Sequence, residues 1–356
     1  MLEKVFRRIG ILTSGGDAPG MNPCYRAITR AILANGTEAM GIRRGYKGLI
    51  DNDMKLLNDR DVSNIINIGG TALYSDRCLE FKTEEGMQKA VQTCIDNKIN
   101  GIIAIGGDGT FRGALDLSEH GIPCIGVPGT IDNDITATEY TLGFDTALNC
   151  SVELVDRLRD TNLSHARCSV VEVMGRSTLY LPLHVGIASG ASAIIIPGYD
   201  YDFDKIVARL EEQRANGKRY FIVVISEGFK GVGAQLATYI EDKSGIETRF
   251  TQLGHVVRGG NPSGRDRVLA ARMGVKAVEL LLAGKSNCIV SLQNDKIIDL
   301  PIRYALALDS IYRGKKTPAD YEGVFSAEDL KSMTDYCDRR NAHFKELFTL
   351  NENLTK

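Results

Sequence analysis

No C-x-x-C pair occurs among the eight cysteines, which are scattered at Cys24, Cys78, Cys94, Cys124, Cys150, Cys168, Cys288 and Cys337. Neither a zinc site nor a disulfide framework is indicated, and reduced thiols filling core positions are expected. No apolar run approaches the roughly 20 residues of a membrane span. Residues 1–10 lack the apolar core and cleavage site of a signal peptide, so a cytoplasmic protein is expected. Charge of one sign is also missing: 43 Lys and Arg against 45 Asp and Glu leave a formal net charge of −2. Such a balance creates no field that draws nucleic acid or an anionic membrane, and it points to small-molecule partners. No internal repeat and no low-complexity linker interrupts the chain.

What the chain has is size and alternation. At 356 residues, 43% hydrophobic and 25% charged, it can bury one large core or two medium ones, and two domains are expected. Strand-like apolar runs at 9–12, 101–105, 123–127, 169–173, 193–196 and 221–226 alternate with amphipathic helical stretches at 21–35, 84–98, 111–120, 147–160, 202–216 and 265–283. This order predicts an α/β fold of two doubly wound lobes with mostly parallel sheets, and ligands at the carboxyl ends of the strands. The first crossing between lobes is expected at 143–146. The polar tail 317–356 spaces Phe325, Leu330, Met333, Tyr336 and Cys337 on one helical face and is expected to dock as a helix.

Two glycine-rich turns follow neighbouring strands: GGDGT at 106–110 and PGTIDND at 128–134. Glycine lets backbone N–H groups approach phosphate oxygens, and the second turn adds the carboxylates Asp132 and Asp134. Donors, a metal-binding carboxylate such as Asp108, and a base beside the attacking hydroxyl are what phosphoryl transfer requires. The first loop, TSGGDAPGMN at 13–22, fits neither the G-x-G-x-x-G nor the P-loop spacing, and alone it reads equally as a tight structural turn. Further on, VEVMGR at 171–176 and Glu227 stand at the ends of apolar runs. Arg249, His255, Arg258, Arg265 and Arg267 cluster around Gly259 and Gly260, where turns would let guanidinium groups grip a phosphate. His120, His165, His184 and His343 show no ligand spacing.

TSGGDAPGMN, GGDGT, PGTIDND, VEVMGR, ISEG and LGHVVRGGNPSGRDR occur in the order found in bacterial ATP-dependent 6-phosphofructokinases, and the chain resembles that family from about residue 9 to the Cys288 strand. The resemblance implies phosphoryl transfer from ATP to the 1-hydroxyl of fructose 6-phosphate, with Mg2+ as cofactor and a homotetramer with shared active sites. It implies a nucleotide-binding lobe at 1–146 and 258–309, and a sugar-phosphate lobe with the C-terminal helix at 147–257 and 310–356. Asp132 is then the base, and Thr130, Asp134, Arg77 and Arg176 complete the catalytic set. The nucleotide would meet Gly16, Tyr46, Arg77, Cys78, Gly107, Asp108, Gly109 and Thr110, with Asp108 holding the metal. The sugar phosphate would meet Thr130, Asp132, Asp134, Met174, Gly175, Arg176, Glu227, His255 and Arg258, joined by Arg167 and Arg249 of a neighbouring subunit.

Pyrophosphate-using relatives commonly carry aspartate and lysine where this chain has Gly109 and Gly129, so the resemblance implies ATP as donor. Tyr74, Asp76 and Leu179 depart from the family pattern close to the expected cleft. They motivate a kinase of the same fold acting on sedoheptulose 7-phosphate or tagatose 6-phosphate, or a catalytically weak sugar-phosphate-binding subunit. Arg26, Arg30, Arg159 and Lys218 match basic positions of the family's regulatory site, whereas Asp59 and Ser192 replace an arginine and a glutamate there.

Overall fold

The computed structural model describes residues 6–175 and 178–355. In chain order it runs β1 (Arg8–Ser14), α1 (Met21–Ala34), β2 (Glu38–Ile42), α2 (Tyr46–Asp51), β3 (Met54–Leu56), α3 (Glu84–Asp96), β4 (Ile102–Gly106), α4 (Asp108–Glu119) and β5 (Cys124–Pro128). There follow α5 (Phe144–His165), β6 (Cys168–Val173), α6 (Tyr180–Ala188), β7 (Ala193–Ile195), α7 (Phe203–Ala215), β8 (Phe221–Ser226), α8 (Val232–Ser244) and β9 (Thr248–Gln252). Then come α9 (Gly264–Leu282), β10 (Cys288–Gln293), β11 (Lys296–Pro301), α10 (Ile302–Tyr312) and α11 (Ala327–Leu354). Among the described residues no helix is long and apolar enough to cross a membrane.

The chain divides into two units: Met1–Thr146 with Arg258–Cys337, and Ala147–Val257 with Asp338–Lys356. The first holds a seven-stranded sheet in the order β11-β10-β5-β4-β1-β2-β3. Its central strands read GILTS, IIAIG and CIGVP and are buried throughout, the signature of parallel strands covered on both faces. Only the edge pairs β2·β3 and β10·β11 are antiparallel. The second unit holds the parallel sheet β7-β8-β6-β9 around a core that includes Val170, Leu210, Val223, Leu236 and Ile240.

Helix starts follow from local capping chemistry. The Thr83 hydroxyl accepts the Gly86 N–H at 3.1 Å ahead of α3, and Asp202 caps α7 through the Asp204 and Lys205 N–H groups. All eight cysteines are free thiols, with Cys78 and Cys150 half-buried and the rest buried. Burial pushes the Cys94 and Cys124 thiols up to about 12.

Three expectations change. Helix α4 begins at Asp108 rather than 111, because the GDGT stretch is its first turn and an acidic residue suits the helix's positive end. Arg249 lies on strand β9, paired with β6, and Arg265 and Arg267 lie on α9, so of that cluster only His255 and Arg258 stand on a turn. In the tail, α11 begins after Phe325, and residues 310–337 cluster with the first unit because Met333 and Cys337 are buried in its core.

Candidate active site

Strands β1, β4 and β5 end level. Register pairs Ser14 with Gly106 and Gly106 with Pro128, so the three following loops leave the sheet side by side. From β1 the chain passes through α1 to β2 on one side, while β4 pairs on the other. In doubly wound sheets this switch of direction opens the crevice that takes ligands.

A Cβ on Gly106 would run into the Ser14 carbonyl and the Thr110 hydroxyl, which itself donates to Ser14 O at 3.0 Å. Gly107 and Gly109 differ: a Cβ there would meet no atom within 4 Å. Asp108, at the head of α4, is gripped by Arg112 one turn on, Nε to Oδ2 and Nη2 to Oδ1, each at 3.2 Å. Thr110 is buried, and its carbonyl accepts from the Tyr46 hydroxyl at 2.6 Å. Tyr46 itself is buried, stacked on Phe81 with ring centroids 4.1 Å apart, so it supports the turn from beneath.

The first loop is braced against the segment 68–75. Asn22 accepts the Ala72 N–H at 2.7 Å and donates to the carbonyls of Ile68 and Gly69. Thr13 donates to the Tyr74 carbonyl at 2.9 Å and pairs with the Thr71 hydroxyl at 2.8 Å. Ser75 donates to Gly15 O. This segment carries Arg77 exposed and Cys78 half-buried. Tyr74 holds a left-handed φ of 59°, unusual for a bulky side chain, with its ring exposed. The Arg258 guanidinium donates to Asp17 O at 3.2 Å, and its Nη1 would lie 2.7 Å from a Cβ on Gly16.

The PGTIDND turn is bound on many sides. Asp132 is 4% exposed, and its N–H meets the Thr130 hydroxyl at 3.3 Å. Between the two carboxylates, Asn133 takes a left-handed φ of 50°, accepts the Thr141 N–H at 2.9 Å and donates to Glu139 O at 3.1 Å. The Thr141 hydroxyl closes on Thr130 O at 2.6 Å. Asp266, from the first turn of α9, accepts from the N–H groups of Gly143 and Thr146, each at 2.9 Å. Burial pushes its carboxyl up to about 6 although these bonds pull the other way. Asp134 meets Arg313, which follows α10.

In the second unit, Met174, Gly175 and Glu227 gather where β6 and β8 end: the Gly175 N–H donates to the Glu227 carboxylate at 3.1 Å, and Glu227 N–H to Val173 O at 3.0 Å. His255 follows β9 at the same ends of the strands and is exposed. Burial raises the neighbouring Glu172 carboxyl, opposed by the Gln252 amide at 2.6 Å. Arg167 and Arg249 sit at the other end of this sheet, where β6 and β9 begin, both paired with Glu247. Six residues of β6 separate them from Met174, roughly 20 Å of strand. Arg176 lies outside the described residues.

Asn133 and Arg112 carried readable signals, an Asn inside a tight acidic turn and an (i, i+4) charge pair. Nothing local marked Arg313. Among the described residues no three His, Cys, Asp or Glu side chains gather as a metal site.

Glycine turns at the switch point, with an acidic turn beside them, make this a doubly wound α/β protein of the phosphate-binding class. The chain belongs to the phosphofructokinase family, whose model, described as Phosphofructokinase, matches residues 8–281. It is 50% identical over 303 residues, 85% of this chain and 95% of the relative, to "ATP-dependent 6-phosphofructokinase 1" of Clostridium perfringens. It is 49% identical over 292 residues, 82% of this chain and 91% of the relative, to "ATP-dependent 6-phosphofructokinase" of Halalkalibacterium halodurans. The solved phosphofructokinase of Saccharomyces cerevisiae matches 93% of this chain with a TM-score of 0.81 at 30% identity, and the chain spans about half, 49%, of that longer one.

Proposed function

We propose that this chain transfers the γ-phosphoryl group of ATP to the 1-hydroxyl of fructose 6-phosphate, giving fructose 1,6-bisphosphate and ADP. The observation that carries the reading is the row of level strand ends, Ser14, Gly106 and Pro128, which sets two glycine-rich loops beside a turn bearing the buried Asp132. Relatives covering most of the chain at about half identity carry the same activity in their names.

In this reading Asp132 takes the proton as the sugar hydroxyl attacks the γ-phosphorus, and the bond to the β,γ-bridging oxygen breaks to leave ADP. Thr130 and Asp134 hold the turn in position. The Gly16 N–H and Arg77 neutralise charge on the transferring group, and stabilisation of that kind supplies most of the acceleration in phosphoryl transfer. The open surroundings of Gly107 and Gly109 suit the close approach of a nucleotide's phosphates. Met174, Gly175, Arg176, Glu227, His255 and Arg258 are assigned to the sugar phosphate.

The residues fit Mg2+ in one respect: Asp108 offers a single carboxylate beside open glycines, and Mg2+ is usually held by one or two carboxylates together with substrate phosphates. Bound there, the ion would neutralise charge on the β,γ-phosphates. The exposed Arg112 guanidinium, which grips Asp108 here, must then yield.

Arg167 and Arg249 lie at the opposite end of their own sheet from Glu227, which favours a role in a neighbouring subunit's site, and the assembly assigned here is the homotetramer that the family resemblance implies. A cytoplasmic location accords with this reading.

The test is an ADP-release assay with fructose 6-phosphate, sedoheptulose 7-phosphate and tagatose 6-phosphate as acceptors, and ATP or pyrophosphate as donor. Highest kcat/KM with ATP and fructose 6-phosphate is expected, and native mass spectrometry of the same sample should give a tetramer. Preference for another acceptor replaces the substrate, and preference for pyrophosphate sinks the donor assignment.

A further inference from the structure

Helix α10 lies beyond residue 281, where the family model's match ends, yet charged groups at its C-terminal end reach the β5 turn. Arg313, its C-cap residue, donates from Nη2 to the main-chain carbonyl of Asp134 at 2.7 Å and to the carboxylate of the same residue at 3.2 Å. Its Nε meets one oxygen of Asp309, a helical turn earlier, at 2.8 Å. The other Asp309 oxygen accepts from the Thr136 hydroxyl at 2.8 Å. The contacts thus close a ring from Asp134 through Arg313 and Asp309 to Thr136, all within the first unit.

This ring is sheltered from solvent. Side-chain exposure is 6% for Asp309, 10% for Asp134 and 25% for Arg313. Burial raises the Asp309 carboxyl, while Arg313 and then Thr136 oppose it and the Asp108 carboxylate adds to the rise. Two buried carboxylates with no cation between them repel each other, so the guanidinium holds Asp134 and Asp309 at a spacing they would not otherwise keep.

We infer that Arg313, oriented by Asp309, is a positioning residue for phosphoryl transfer: by holding both the main chain and the carboxylate of Asp134, it keeps Asp132 aimed at the acceptor hydroxyl. A grip on the carbonyl alone would leave the side chain free to rotate. A grip on the carboxylate alone would leave the peptide free. The bond from Asp309 to Thr136 secures the turn two residues further on, so Asn133 keeps its left-handed conformation between fixed neighbours. Arginine suits the task because its planar fork presents Nε and Nη2 in fixed relation, whereas lysine offers one flexible point charge. Displacement of a reacting group by about 1 Å can cost ~10²-fold in rate, which is why a clamp remote in sequence matters.

The inference rests on the function proposed above, and the experiment separates the two. Wild type is assayed first; absence of sugar-phosphate kinase activity refutes that function and leaves the clamp to hydrogen–deuterium exchange. With active wild type, Arg313→Lys is expected to lower kcat by ~10- to 100-fold while the KM for ATP stays within about twofold. In a double-mutant cycle, Arg313→Lys combined with Asp134→Asn should lose less than the product of the two single losses, because part of the Arg313 grip runs through the Asp134 carboxylate. A merely structural arginine would make the two losses multiply. Exchange over residues 130–136 should rise several-fold in Arg313→Lys with the strand β1 peptide unchanged, whether or not any substrate is turned over. Should Arg313→Lys fail to fold, Asp309→Asn, which weakens the anchor of the guanidinium, is expected to lower kcat with the KM for ATP unchanged, and wild-type kcat in that variant overturns the inference. Wild-type kcat with unchanged exchange in Arg313→Lys, or multiplying losses in the cycle, overturns the inference.

Discussion

The turns after β4 and β5 stand on neighbouring strands and solve opposite problems. Past β4 the backbone is bare: Gly107 and Gly109 have open space where a side chain would stand, and Asp108 is tied along its own helix, to Arg112. Past β5 the backbone is bound from several directions, by Asn133, Thr141 and Arg313, with α9 securing residues 143–146 behind it. A loop that must admit phosphates needs exposed N–H groups and room, which glycine supplies without partners. A loop that must aim a base needs to be overdetermined, because small errors of aim are expensive in rate. Bareness and binding are therefore complementary.

The sharpest break in this contrast is removal of the base. Asp132→Ser should lower kcat by at least ~10²-fold with nucleotide affinity near wild type, measured by steady-state kinetics and equilibrium nucleotide binding. An active variant would reduce the bound turn to a structural feature.

Loosening the bound turn comes next. Asn133→Ala removes the hydrogen bonds of the amide to Thr141 and Glu139 and leaves a Cβ residue at φ 50°, so unfolding free energy should fall by ~2–3 kcal/mol. Asn133→Gly keeps the left-handed backbone available and should recover part of that loss in denaturant titrations. Equal losses in the two variants would show that strain plays no part.

Asp266, which secures the segment behind the turn, provides a pH handle. Its carboxyl rises from 3.8 to about 6 on folding, so between those values the folded chain binds more protons than the unfolded one. Stability contributed by this group is therefore highest at low pH, falls as pH rises toward about 6, and is flat above. The stability of wild type relative to Asp266→Asn should fall by about 1 kcal/mol between pH 5 and pH 6. A pH-independent difference would refute the assignment.

The mildest test is on the bare side. A Cβ at Gly109 meets no atom within 4 Å, so in Gly109→Asp the unfolding free energy should stay within ~0.5 kcal/mol of wild type while the KM for ATP rises several-fold. Gly129 is unsuited to the same test, because a Cβ there would press on Ile105 at 3.1 Å and confound donor choice with packing.

Features governed by neighbours in sequence were legible. The apolar strands and the glycine turns that end them could be placed to within a residue or two, since burial on both faces writes itself as an uninterrupted apolar run. Strand β9, TRFTQ, carries no such run: its residues are polar and partly exposed, and it earns its conformation from pairing with β6. The start of α4 hid behind a string that looks like a loop. At the site the carboxylates were legible and their restraints were not. Arg313 lies 179 residues from Asp134, and only the folded sheet brings such positions together.

The level ends of β1, β4 and β5 also make the sheet intolerant of changes in length. A single residue added within β4 would carry Asp108 about 3.3 Å past its neighbours and turn every later side chain of the strand to the opposite face. The same insertion at an exposed surface turn such as Asn294–Asp295, between β10 and β11, would disturb a hairpin and its contacts with Glu139 and Arg272 while leaving the three central strands in register. Chain-length variation compatible with this arrangement is thus confined to surface turns, and the three central strands behave as a ruler whose divisions cannot be moved singly.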